Sequence, residues 1–178
     1  MSRILVAGVG NVFFSDDGFG SEVARRLLGA RRLPPDVEVV DVGIRGMHLA
    51  YRVLDGYDVL LLVDTHAGGR APGTLCLLEH DMADAGAAAG AGAAFDPHGM
   101  EPDAVLDLIG ALARGVGAHE LRRVLVLGCE PAGTGAGMGL SPPVAAAVDD
   151  AVEAVARIVA RLRADEPFTA VTQSGAVR

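Results

Sequence analysis

The chain has 178 residues and a formal net charge of −8, from 15 basic side chains, all Arg, against 23 acidic ones. That length suits one compact domain with a sizeable core, and a hydrophobic content of 51% with 24 glycines excludes disordered and collagen-like chains. The longest clean apolar stretches, such as Val59-Leu60-Leu61-Leu62-Val63, fall far short of the roughly 18 residues a spanning helix needs, so no membrane partner is expected. Basic residues gather only as the pairs Arg25-Arg26, Arg31-Arg32 and Arg122-Arg123, too sparse for a polyanion, so no nucleic acid is expected either.

In chain order, MSRILVAGVGN lacks the cleavage site of a signal peptide, which points to the cytoplasm. The run RILVA predicts a strand over 3–7, and Val23, Ala24, Leu27 and Leu28 predict a helix over 20–28. Pro34-Pro35 breaks that region. A second strand is expected over 37–40 and a short amphipathic helix over 47–54. The wholly apolar run 59–63 has no polar face, as in a parallel strand covered on both sides. Pro72-Gly73 marks a turn before a short edge strand over 74–78, and the Ala/Gly-rich stretch 82–94 reads as low complexity. Pro102 suits the start of a helix to about 114, a last strand is expected over 124–127, and Ser141 as N-cap with Pro142 at the first position opens a long helix to about 163. Residues after about 166 read as a disordered tail of a single domain spanning 1–178. Strands alternating with helices imply an α/β fold: a three-layer sandwich with a mainly parallel, twisted sheet of about five strands and helices on both faces.

Open α/β sheets bind ligands at the carboxyl ends of their strands, which directs attention to three places: Gly8 to Gly20, Asp64-Thr65-His66, and Asp96-Pro97-His98. The first is not a dinucleotide fingerprint, because Phe13 stands where G-x-G-x-x-G needs glycine, and with no Lys in the chain a P-loop is excluded. Gly8 and Gly10 can be plain turn residues or can admit a positive φ or the close approach of a substrate chain. Asp16 and Asp17 can each be a helix cap or a ligand, as can Asp64. His98, in a loop, competes with His66 for a site role, whereas His48, His80 and His119 read as solvated. Two carboxylates and a neutral imidazole converging from three loops would make a mixed O/N site for Ni²⁺ or Zn²⁺. HExxH, GxSxG and Cys–His nucleophile patterns are absent from the sequence, and Cys76 and Cys129, with no CxxC pair, read as buried reduced thiols.

The opening ILVAGVGNVFFSDDGFG resembles the signature of the hydrogenase maturation endopeptidases, which trim the C-terminal extension from the large subunit of [NiFe] hydrogenases. Further similar features are Gly43-Ile44-Arg45-Gly46, the strand LLLVDTH, Asp96-Pro97-His98 with the helix VLDLIGAL, Gly128-Cys129-Glu130-Pro131, and Gly139-Leu140-Ser141-Pro142. The likeness runs over roughly residues 3 to 163. It implies a phosphorylase/hydrolase-like fold, an endopeptidase activity, and Asp17, Asp64 and His98 as nickel ligands and catalytic residues, with Gly8, Gly10 and Asn11 facing the substrate. It also implies that the partner is the large-subunit precursor and that nickel arrives with that substrate, the free protein holding no tightly bound metal. Two other readings stand beside it. A peptidyl-tRNA hydrolase would need a His soon after Asn11 and a basic surface, where this chain has Ser15-Asp16-Asp17 and a charge of −8. A nickel-sensing chaperone of the precursor would use the same three ligands without cutting.

Overall fold

A computed structural model of the protein describes residues 2–30, 32–80, 121–166 and 171–172. The expected low-complexity stretch 82–94, the Asp96-Pro97-His98 loop, the helix from Pro102 and His119 all lie outside these residues. The described chain runs β1 (Ile4–Val9), a 3-10 turn (Ser15–Gly18), α1 (Phe19–Ala30), β2 (Val37–Gly43), α2 (Gly46–Val53), β3 (Val59–Thr65), β4 (Leu75–His80), β5 (Arg123–Cys129), a long helix α3 (Pro142–Arg163) and a two-residue β6 (Val171–Thr172). The strands make one sheet of order β2-β1-β3-β5-β4-β6. Strands β2, β1, β3 and β5 are mutually parallel, and β4 runs antiparallel to β5.

The period-2 alternation of a strand explains why the central strands read as unbroken apolar runs. Val59, Leu61 and Val63 of β3 pack with α1 and α3 on one face, and Leu60 and Leu62 pack with α2 on the other. In β1, Ile4 and Val6 join the first core and Leu5 and Ala7 the second. Helix α3 lays Val144, Ala147, Val148, Ala151, Val152, Val155, Ile158, Val159 and Leu162 onto the sheet at helical spacing. This is the expected sandwich with helices on both faces. Cys129 belongs to the first core and Cys76 to the second, so the two free thiols lie on opposite faces of the sheet.

Three local expectations need correction. The segment 74–78 reads as an edge strand, but β4 continues to His80 and is itself flanked by β6, whose Val171 and Thr172 pair with Leu78 and Glu79. His80 is accordingly a strand residue with its Nε2 buried, not a solvated side chain. Ser141 precedes α3 as read, and Pro142 opens the helix, but the Ser141 side chain does not cap it.

Gly8 is required by the packing of the chain on itself. A Cβ there would strike the Gly20 carbonyl and lie 2.6 Å from Ala24 Cβ, and one on Gly20 would strike the Val63 and Val9 carbonyls. Paired glycines thus let the start of α1 lie directly on β1 and β3, so the body approaching Gly8 is α1.

Candidate active site

Strand β1 leads into α1 on one face of the sheet, while α2 packs on the other before β3 begins. The winding therefore reverses between β1 and β3, and the carboxyl ends of these two neighbouring strands form the crevice where such folds bind ligands. The 3-10 turn carrying Asp16 and Asp17 packs against β3 at this edge, which brings the first two expected site segments together. His98, the third expected donor, lies outside the described residues. Among the described residues no three His, Cys, Asp or Glu side chains gather closely enough to hold a metal ion.

The adjacent aspartates have different surroundings. Asp16 is fully buried. Its Oδ2 accepts from the backbone N–H of Ala132 (2.8 Å) and Gly133 (3.1 Å) and from the Ser141 hydroxyl (2.9 Å), while its Oδ1 accepts from the Ser141 N–H (2.7 Å). Burial alone would push this carboxyl up, but the bonds from Ser141, Gly133 and Ala132 outweigh it and hold Asp16 below the usual carboxylate range. Asp16 is thus a tie between the first loop and the segment leading into α3, and this is where the Ser141 hydroxyl goes in place of capping. Asp17 is half-buried, and its Oδ2 accepts from the Asn11 N–H at 3.0 Å. Among the described residues the Asp17 carboxylate has no other hydrogen-bond donor.

Asp64 is the penultimate residue of β3, not a residue beyond it, and is 5% exposed. Its Oδ1 accepts from the Thr65 N–H at 2.7 Å. His66 follows, its backbone N–H held by the Cys129 carbonyl (2.9 Å) and its Cβ over Gly128, where a side chain could not fit. The turn after His66 is fastened by Glu130, which is buried and accepts from the N–H groups of Gly68 (2.7 Å) and Gly69 (3.1 Å). Burial pushes Glu130 up, yet the backbone bonds from Gly68, Arg70 and Gly69 and the Arg70 guanidinium keep it below its ordinary value. One segment, Glu130 to Ser141, therefore holds both the loop that carries Asp16 and Asp17 and the turn that follows β3. Neither thiol fits the part of a nucleophile: burial, with Asp16, Cys76 and Glu130 nearby, pushes Cys129 up to about 12, and burial likewise raises Cys76.

Asp16, Glu130 and Ser141 are the residues that reading the sequence did not place in these roles. The Gly128-Cys129-Glu130-Pro131 and Ser141-Pro142 runs were visible, but nothing in their spacing reveals that their partners lie in loops more distant in sequence. Gly10 also changes meaning. Its φ is +149°, and a Cβ would collide with the Asp17 carbonyl, which itself accepts from the Asn11 N–H at 3.1 Å. The constraint is again the protein's own chain. Gly10→Ala is therefore expected to lower stability by roughly 2–4 kcal/mol, enough to depress the melting temperature visibly by circular dichroism.

Comparison with known proteins gives a consistent picture. The family model described as hydrogenase maturation protease (HycI) matches residues 21–158. The hydrogenase expression/formation protein HupD of Rhodobacter capsulatus is 33% identical over 163 residues, covering 91% of this chain and 72% of the relative. The coenzyme F420 hydrogenase subunit delta of Methanothermobacter thermautotrophicus is 29% identical, covering 86% and 92%. Among solved structures, the hydrogenase maturating endopeptidase HybD from E. coli superposes with a TM-score of 0.67 at 27% identity, over 92% of this chain and 93% of that one. A hydrogenase 2 maturation peptidase from a Thaumarchaeota archaeon gives a TM-score of 0.66 at 29% identity, over 89% and 98%.

Proposed function

The chain belongs to the hydrogenase maturation protease family, and we propose that it is the endopeptidase that removes the C-terminal extension from the nickel-loaded large-subunit precursor of a [NiFe] hydrogenase. The observation that carries this reading is the division of labour among the carboxylates. Asp16 is saturated by structural hydrogen bonds, whereas Asp17, on the same 3-10 turn packed against β3, engages one of its carboxylate oxygens, with the Asn11 N–H, among the described residues.

In this reading Asp17, Asp64 and His98 contact the nickel that the precursor presents in its own cysteine-held site. The ion would mark the substrate as loaded or, as a Lewis acid, polarise the attacking water. A site carboxylate aligns that water and accepts its proton as the water oxygen bonds to the scissile carbonyl carbon; the C–N bond then breaks and the proton passes to the leaving amine. The loop of Gly8, Gly10 and Asn11 holds Asp17 in place through the Asn11 N–H. The work is assigned to the cytoplasm, and among the described residues no helix is long and apolar enough to cross a membrane.

Two carboxylates and an imidazole, with no thiolate, hold a divalent ion less tightly than a four-ligand Cys/His cage. Weak affinity suits the task, since a tight site would strip nickel from the precursor. Elemental analysis of the isolated protein is expected to find well under one metal ion per chain, and trimming is expected with nickel-loaded precursor but not with nickel-free precursor. Stoichiometric metal in the free protein, or equal cleavage of both precursors, would overturn the proposal in favour of an ordinary metalloprotease.

A further inference from the structure

Of the large apolar side chains that are exposed among the described residues, Val12, Phe13, Phe14, Ile44 and Met138 belong to loops at the carboxyl edge of the sheet, with Phe13 63% and Met138 79% exposed. They come from three loops that the backbone joins. The Gly137 N–H donates to the Phe13 carbonyl (2.9 Å), the Ser15 N–H donates to the Gly137 carbonyl (2.7 Å), and the Gly10 N–H donates to the Gly43 carbonyl (3.0 Å) beside Ile44. The Asp16 carboxylate fastens the same pair of loops from beneath. Ser15 is itself held at a φ of +51°, a conformation that side chains rarely adopt and that these bonds maintain. The apolar surface is therefore preformed, so a partner orders little of it on binding.

We infer that this surface is the docking site for an extended, uncharged apolar segment of the precursor next to its scissile bond. The inference rests on the protease reading above and adds to it where the substrate chain runs. Three observations select this occupant. The surface is continuous with the candidate site, since Phe13 and Phe14 precede Asp17 on the same short loop. The two loops that carry Val12, Phe13, Phe14 and Met138 are uncharged in a chain of net charge −8: residues 8–15 and 131–141 contain no Arg, Asp or Glu. Beside the aromatic side chains, a Cβ added at Gly133, Gly135, Gly137 or Gly139 would meet nothing within 4 Å, so the surface is low enough there for a main chain to lie close. A charged or folded convex partner would leave this apolar surface poorly matched.

The test measures kcat and KM for trimming of nickel-loaded precursor, and precursor affinity by pull-down, with wild type, Phe13→Ser, Met138→Ser and Gly135→Leu. The exposed positions and the open space at Gly135 leave melting temperatures unchanged. Each variant is expected to raise KM and weaken capture about tenfold, with kcat within about twofold of wild type. Leu28→Ser, which removes an exposed apolar side chain from α1, is expected to leave both unchanged. Unaltered KM and capture in all three variants would overturn the inference, as would a loss of self-association in sedimentation with KM unaltered, which would make this face a contact between copies of the chain. Wild-type protein that captures the precursor without trimming it counts against the protease reading, and the variants' capture still decides the docking surface.

Discussion

Asp17→Asn and Asp64→Asn are each expected to slow precursor trimming by roughly 10²–10⁴-fold, the range that removal of a positioned acid–base group produces. The change at Asp17 should cost little stability. An Asn at 17 keeps a carbonyl oxygen for the Asn11 N–H, and an Asn at 64 keeps one for the Thr65 N–H. A trimming assay run beside circular dichroism separates the two effects. His98→Ala is expected to fail in the same way, whereas His66→Ala should stay near wild type, because the structure uses the His66 backbone and Cβ to close the end of β3 over Gly128. An inactive His66→Ala protein with an active His98→Ala protein would move the imidazole role to His66.

The largest loss of stability is expected from Asp16→Ala. Four donors, the N–H groups of Ala132, Gly133 and Ser141 and the Ser141 hydroxyl, would lose a buried anionic acceptor at once. At about 1–3 kcal/mol for an orphaned buried donor, partly relieved by water, the cost is about 3–5 kcal/mol, or a melting temperature lower by about 10 °C. Trimming should fall as well, since Asp17 loses its anchor, and lowering the assay temperature should restore part of it, which it would not do for Asp17→Asn. Glu130 extends the same logic to pH. Its folded-state value lies below the ordinary 4.5, so its contribution is fully present above that pH and is lost as pH falls through the lower folded value. Glu130→Gln should therefore be less stable than wild type at neutral pH and converge toward it in acid, as followed by thermal melts across pH 3 to 7.

The layers of this fold were legible because they rest on local and periodic signals. Continuous apolar runs at 59–63 and 124–127 announce strands covered on both faces, and Pro142 followed by apolar residues at helical spacing announces α3. Strand ends were less legible, since β1, β2, β3 and β5 all run past their apolar runs, carrying Asp64 into β3 itself. Pairing supplies the reason: Asp64 is opposite Gly128 and Thr65 opposite Cys129 in a ladder whose length a neighbouring strand sets. The site divides in the same way. Strand ends pointed to the loops of Asp17 and Asp64, but adjacent aspartates are indistinguishable by composition. What separates them is the segment 132–141, folded back onto Asp16 from the far end of the chain. Gly8 and Gly10 were recognisable as positions that exclude a Cβ, but not the reason, because Gly20 and Asp17 approach them only once α1 has docked.

The central claim is that this protein cuts the precursor and does not merely bind it. Intact-mass spectrometry of a nickel-loaded large-subunit precursor, before and after incubation with purified protein, tests that most directly. The expected result is loss of one C-terminal peptide at a single bond with wild type, and an unchanged precursor mass with Asp17→Asn. A precursor that forms a complex with the wild-type protein yet keeps its full mass would contradict the claim and make the protein a nickel-sensing chaperone.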